Sequence, residues 1–166
     1  MKLKLFALNA SKQFGEEIAH YLDIAVCPHE ERRFEDGEAY VAPSSTDEMS
    51  NVRGSDVFVV QSCYADGGEC VDQKLMKLYI MLGSLRDASA GRITAVLPYY
   101  PYARQDRKTA SRAPVTTKYV SALISQFADR VLAMDFIYVI GMLVMLVLAM
   151  PSTADFLTSS SLNSGV

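Results

Sequence analysis

Residues 72–114 read DQKLMKLYIMLGSLRDASAGRITAVLPYYPYARQDRKTASRAP, a segment that passes from one hydrophobic period to another and then into a loop. Leu75, Leu78, Tyr79, Leu82 and Leu85 recur at spacings of three and four, which gives Asp72 to Ala88 one apolar helical face. Met76 and Met81 read as core filling on the same helix, and Gly91 stands where a C-terminal cap could. Ile93 to Leu97 is then a short apolar run rich in branched residues, as a buried strand is, and Pro98 and Pro101 turn the chain into a loop.

The same alternation extends in both directions. Thr116 to Phe127 returns to a helical pattern and Val131 to Met134 closes with a strand. Towards the N-terminus, Val57 to Val60 is a buried strand, and Lys2 to Ala7 alternates polar and apolar like a half-buried one. Between them, Asn9-Ala10-Ser11 offers capping side chains to a helix over Lys12 to Leu22, whose apolar face is Phe14, Ile18, Tyr21 and Leu22. Strands alternating with helices imply an α/β fold, a parallel sheet with helices on both faces. Ligands of such sheets lie beyond the carboxyl ends of the strands. The loops after Ala7, Val60 and Leu97 are therefore where function is expected.

Of the three, the loop after Leu97 carries the most chemistry. Arg104, Arg107, Lys108 and Arg112 alternate with Tyr99, Tyr100 and Tyr102, a mixture able to hold a polyphosphate and cover a base. A solvated basic loop with tyrosines packed at the domain edge is the other reading, and composition alone favours it. Arg33-Phe34-Glu35-Asp36-Gly37-Glu38 is a second candidate, with an aromatic beside a glycine turn between acids; on composition it is an ordinary hairpin turn.

With 166 residues and half of them hydrophobic, the chain has room for one domain with a real core. A formal charge of -3 speaks against a general nucleic-acid binder, which needs an excess of Lys and Arg on one face. Cys27, Cys63 and Cys70 are odd in number and lack paired spacing, so neither a disulfide framework nor a zinc site is suggested. The opening residues have too short an apolar run for a secretory signal and no Arg-rich transit character, and a cytoplasmic location is expected.

Taken together, ERRFEDGE (31–38), ITAVLPYYPYARQDRK (93–108) and SRAPVTTKYV (111–120) closely resemble the ribose-phosphate pyrophosphokinase (phosphoribosyl pyrophosphate synthetase) family. KLKLFALNAS, RGSDVFVVQS, LMKLYIMLGSLRDASAGRITAV and ADRVLAMD add to the likeness in the expected order, so that it covers residues 1–135 as that family's N-terminal domain. The resemblance implies a phosphoribosyltransferase-like domain and a reaction in which ATP donates its β,γ-diphosphoryl group to the 1-hydroxyl of ribose 5-phosphate, with Mg2+. It places Arg104 and Gln105 on ATP, with Asp106 and Arg107 completing that loop's polar network. Phe34 would stack on adenine while Asp36 and Glu38 accept its hydrogen bonds, from a segment that reaches a neighbouring subunit. Asp135 matches the aspartate of the family's M-D-L-H-A magnesium site. His20 and His29 match no ligand and are expected as surface or helix-edge residues.

After Asp135 the pattern changes: Phe136-Ile137-Tyr138 stands where the family has Leu-His-Ala. The family's C-terminal basic pair and its D-D-x-x-D-T-A-G-T sugar-phosphate loop have no counterpart, so a truncated form is expected that does not complete the reaction alone. Residues 136–150 form an apolar segment shorter than the ~20 residues usually needed to span a bilayer. A buried helix or strand, a membrane span and a translated non-family sequence all stay open for it, with a membrane partner not expected. Residues 151–166 are Ser-rich and expected to be disordered. Two roles compete: a synthetase working as a homo-oligomer, and a non-catalytic or regulatory subunit that joins full-length synthetase subunits.

Overall fold

The computed structural model describes residues 1–134. The expectations for Asp135, for 136–150 and for 151–166 lie outside the described residues. Strands β1 (Leu3–Ala7), β4 (Asp56–Val60), β5 (Arg92–Leu97) and β6 (Arg130–Ala133) pair in parallel in that spatial order, with Phe6 opposite Val59 and Val59 opposite Ala95. Helices α1 (Lys12–Tyr21), α2 (Val71–Asp87) and α3 (Thr116–Ser125) connect them, and β2 (His29–Arg33) with β3 (Ala39–Pro43) makes a separate antiparallel hairpin. The α/β parallel-sheet fold read from the residues is the observed one.

Alternation along each strand explains the two-sided core. Phe6, Val57, Val59, Ile93, Ala95 and Leu97 face α2 and α3, where they join Leu78, Met81, Leu82, Leu85 and Ile124. Their neighbours Leu5, Ala7 and Val60 face α1, with Phe14, Ile18, Phe58 and Val96 packed around them. Four α2 side chains, Leu78, Met81, Leu82 and Leu85, are wholly buried, worth roughly 8 kcal/mol of gross hydrophobic stabilisation at ~2 kcal/mol each. Burial of both faces is what parallel strands require, and it is why Val57 to Val60 and Ile93 to Leu97 read as continuous apolar runs.

Several local expectations change. Lys4 is buried instead of marking a solvent face, because its Nζ donates to the Met49 carbonyl at 2.5 Å. Tyr21 and Leu22 are exposed, at 90% and 54%, since α1 docks through Gly15 and Ala19 rather than through its last turn. Met76 is half exposed on α2, while Met81 is core. The left-handed residue that ends α2 is Ser89 (φ 63°), not Gly91. His29 is neither a surface nor a helix-edge residue: it sits on β2 with a side chain 9% exposed. Ser11 does not cap α1; its hydroxyl accepts from the Ser62 N–H (2.6 Å) and donates to Gln61 Oε1 (3.3 Å), tying the loops after β1 and β4 together.

Beyond β1 on its outer side, Leu5 bridges in parallel to Val26, so the chain leaves β1 outward through α1 but runs inward through β4, β5 and β6. The direction of winding thus reverses between β1 and β4. Ligand sites of open parallel sheets form at such a reversal, outside the carboxyl ends.

Candidate functional site

At that reversal lies a cleft of about 880 Å³, lined by Asn9, Ser62 and Pro98 beyond the carboxyl ends of β1, β4 and β5 and by Lys12, Glu16 and Glu17 of α1. All three loops singled out by sequence therefore meet at one edge of the sheet.

The loop after β5 is held by its aromatic residues. Tyr100 is 1% exposed and shares a hydrogen bond with the Ser121 hydroxyl (2.8 Å); burial pushes its phenol pKa up, so it stays a neutral anchor. Tyr102 takes a left-handed conformation (φ 59°), uncommon for a bulky side chain, and is fixed from both ends. Its hydroxyl donates to Asp72 at the start of α2, and its carbonyl accepts the Thr117 hydroxyl (2.6 Å) and the Gln105 N–H (3.0 Å). The hydrogen bond to Asp72, helped by burial, raises the Tyr102 pKa. Tyr99 meets Tyr64 edge-on at 5.5 Å. Tyr100 thus lies in the main core and not at the domain edge, Tyr99 and Tyr102 are half-buried, and the basic residues face solvent.

Arg104, Gln105, Asp106, Arg107 and Lys108 are exposed. No ion pair joins Arg104, Arg107, Lys108 or Arg112 to a described residue. The internal network of the loop runs instead through Gln105, whose side-chain oxygen accepts from the Thr116 hydroxyl and whose carbonyl accepts the Thr117 N–H (3.3 Å). Asp106 and Arg107 make no side-chain hydrogen bond with a described residue, and the hydrogen bonds within the loop run through Tyr102, Gln105, Thr116, Thr117 and Asp72. Thr116 and Thr117 open α3, whose N-terminal dipole adds positive potential beside Arg104. Tyr102→Phe is expected to cost only about 1 kcal/mol of global stability, with faster amide exchange at Gln105; unchanged exchange there would remove the tether from this account.

The second candidate is a hairpin turn and an exposed tip at once. Phe34 N–H bonds the Glu38 carbonyl (2.8 Å), Gly37 N–H bonds the Phe34 carbonyl (3.0 Å), and Gly37 supplies the positive φ (93°) that the turn needs. Asp36 Oδ1 accepts the Glu38 N–H (3.1 Å), which leaves its second oxygen outward. Phe34 is 44% exposed, and the Arg32 guanidinium lies 4.8 Å from its ring and 4.5 Å from that of Tyr40. No hydrogen bond or ion pair among the described residues joins Phe34, Asp36 or Glu38 to the Arg104–Arg107 loop.

A residue missed from sequence is Glu31. Its Oε2 accepts the Asn9 N–H (2.8 Å) and the His29 Nε2–H (3.3 Å), and its Oε1 accepts Lys77 Nζ (2.7 Å). Burial works against its charge, yet the hydrogen bonds from His29, Asn9 and Lys77 outweigh it and hold Glu31 at about 2, below the ordinary 4.5. A carboxylate whose pKa is lowered by folding stabilises the fold above its unfolded value and loses that contribution as pH falls through the folded one. Stability is therefore expected to drop by about 3 kcal/mol between pH 5 and pH 2 on account of Glu31. Asp66, also held at about 2 by Lys74, shares that window. Glu31→Gln should flatten the acid limb of a urea-unfolding series; an unchanged limb would contradict the assignment. The signal in the sequence was only an acid and a lysine far apart, Glu31 and Lys77, which no local pattern connects.

Among the described residues no cluster of three or more His, Cys, Asp or Glu side chains is placed to hold a metal. Cys63 is buried and its thiol pushed up to about 12, and burial likewise raises Cys27, so both are inert core thiols. No helix among the described residues is long and apolar enough to cross a membrane.

A family model for the N-terminal domain of ribose phosphate pyrophosphokinase matches residues 3–127. The chain belongs to the ribose-phosphate pyrophosphokinase family. Relatives named ribose-phosphate pyrophosphokinase include those of Hyphomonas neptunium, 48% identical over 134 residues (80% of this chain, 40% of the relative), and Nostoc sp., 44% identical over 135 residues (81% and 38%). The crystal structure of phosphoribosylpyrophosphate synthetase from Mycobacterium smegmatis superposes with a TM-score of 0.72 at 40% identity, over 80% of this chain and 42% of that one. The chain spans about two fifths of the length of the curated relatives it matches. In this ribose-phosphate pyrophosphokinase domain, the match takes in the whole Arg104–Arg107 loop and the Phe34 hairpin.

Proposed function

We propose that this domain supplies the nucleotide-binding half of a ribose-phosphate diphosphokinase, which transfers the β,γ-diphosphoryl group of ATP to the 1-hydroxyl of ribose 5-phosphate and releases AMP. The observation that carries the reading is the loop after β5, which offers Arg104 and Arg107 to solvent from a backbone tethered by Tyr102, Gln105 and Thr117 at the carboxyl edge of the sheet. Guanidinium groups presented from this tethered backbone would neutralise the phosphate oxygens and orient the chain for in-line attack, so their work is positioning and charge stabilisation. Gln105 would add a side-chain N–H donor, since its oxygen is occupied by Thr116. Phe34 would stack on adenine, with Asp36 and Glu38 accepting from its amino group, in a site completed by a neighbouring subunit of a homo-oligomer. Asp106 and Arg107 would complete the polar network of that loop. Mg2+ would accompany the phosphates and offset their charge, with Asp135 as a carboxylate ligand. Ribose 5-phosphate would bind outside the described residues, and the cytoplasm is the location that fits this substrate pair.

A second reading is favoured by the exposure of the hairpin tip: the domain joins full-length synthetase subunits as a non-catalytic or regulatory partner. Calorimetry with Mg2+ and ATP on the full chain, followed by a coupled assay for AMP release on adding ribose 5-phosphate, separates the two. No ATP binding would overturn the nucleotide reading. Binding with AMP release only at background would leave the second reading, which co-purification with a full-length synthetase then supports and failure to associate rejects.

A further inference from the structure

One strand of the hairpin, β2, is poorly provided with apolar burial. The hairpin rests on α2 through β3, whose Val41 joins the main core, whereas β2 carries no apolar residue and its buried side chains are the polar His29 and Glu31. A two-stranded hairpin is at best marginal by itself. What joins β2 itself to α2 is charge. Lys77 donates to Glu31 on β2 and to Glu69 ahead of α2, with the Lys77 and Glu31 side chains only 9% and 3% exposed. Glu69 also meets Arg33 at the end of β2 (3.5 Å), and Arg33 donates to the Gly37 carbonyl in the turn (2.9 Å). Through Asn9 the same Glu31 carboxylate reaches the loop after β1, which lines the cleft.

A buried ion pair is weak as a source of stability, because desolvation offsets most of its attraction, yet it is strict about geometry. Lys77 meets both carboxylates at once and so ties β2 to α2 across the hairpin. We propose that Lys77 and Glu31 are positioning residues, a buried charge clamp that holds the hairpin arm, and with it the Phe34–Glu38 tip, at a fixed height above α2 and in register with the cleft loop. The functional part of this inference rests on the nucleotide reading of the tip; the clamp itself does not.

The test uses the full chain with Lys77→Met, with Lys77→Arg as the charge-retaining variant, and with the double variant Glu31→Gln/Lys77→Met, which leaves no lone buried charge and so guards against loss of the fold. Amide exchange is read at Phe34 and Gly37 in the turn, and at Gln61 and Ile93 in the central sheet. The clamp requires exchange about tenfold faster in the turn for Lys77→Met and the double variant, with the central amides unchanged and Lys77→Arg close to wild type. Unchanged turn amides, or equal acceleration in turn and sheet, would overturn it. In the nucleotide arm, ATP affinity should fall about fivefold in the double variant and recover in Lys77→Arg; affinity unchanged, in a wild type that binds ATP, would overturn the positioning role. A wild type that binds no ATP strikes the nucleotide reading instead, and the exchange comparison alone then decides the clamp.

Discussion

Arg104→Ala is expected to weaken ATP binding by about 2 kcal/mol, roughly thirtyfold in Kd, with no change in thermal stability. The size follows from what a charge-assisted bond to phosphate contributes when the guanidinium is already in place. The selectivity follows from the structure: Arg104 is exposed and has no ion-pair partner among the described residues, while the loop's shape depends on Tyr102, Gln105, Thr116 and Thr117. Removing its side chain therefore deletes a ligand contact without loosening the backbone that presents its neighbours. Arg104→Lys should recover part of the loss, because a lysine keeps the charge but not the forked donors. Calorimetry that finds the alanine variant as tight as wild type would take Arg104 out of the site, and a lower melting temperature would show that the loop leans on it after all.

The largest effect on stability is expected at Gly15. A Cβ there would come 2.2 Å from the Ala7 Cβ, closer than side chains approach, because α1 lies directly on β1 at this pair. A mid-helix glycine is itself unfavourable by ~1 kcal/mol relative to alanine, so its presence is explained by contact and not by propensity. Gly15→Leu must lift α1 from the sheet, uncovering Ala7, Ala19 and Val60, and should destabilise the domain by about 4 kcal/mol. At ~3 °C per kcal/mol for a domain of this size, the melting temperature should fall by roughly 12 °C. The milder Gly15→Ala should be partly relieved by Ala7→Gly, since the clash is between those two methyl groups. Absence of that relief would mean that something other than the close approach sets the identity of residue 15. Because Ala7 ends β1, displacement of α1 should also disturb the Asn9 and Ser11 side of the cleft.

The secondary elements were legible because each satisfies a local period. Leu75, Leu78, Leu82 and Leu85 repeat at helical spacing, and the continuous apolar runs of β4 and β5 announce strands covered on both faces. The loops at the carboxyl ends followed from the alternation of helix and strand alone. The hairpin tip was visible as Asp-Gly between acids, but the two strands beside it were not, since HEERR carries no apolar alternation to mark a strand. β3 rests on α2 with Val41 in the core, but the tie of β2 is ionic, and ion pairs between distant residues leave no periodic trace. Tyr21 and Met76 misled for the converse reason: both fit a helical stripe by spacing, yet α1 and α2 turn other residues toward the sheet.

The residue order of this chain is thus enough to specify an α/β sheet with its loops at one edge and to assign the ribose-phosphate pyrophosphokinase family, because periods and short motifs are properties of neighbours along the chain. Only the folded molecule decides that Tyr100 and Tyr102 anchor the loop after β5, that Ser11 bridges two loops instead of capping a helix, and that Glu31 and Lys77 meet. Each of these is set by which groups lose their water together, and burial is a property of the assembled sheet and helices, not of any segment taken alone.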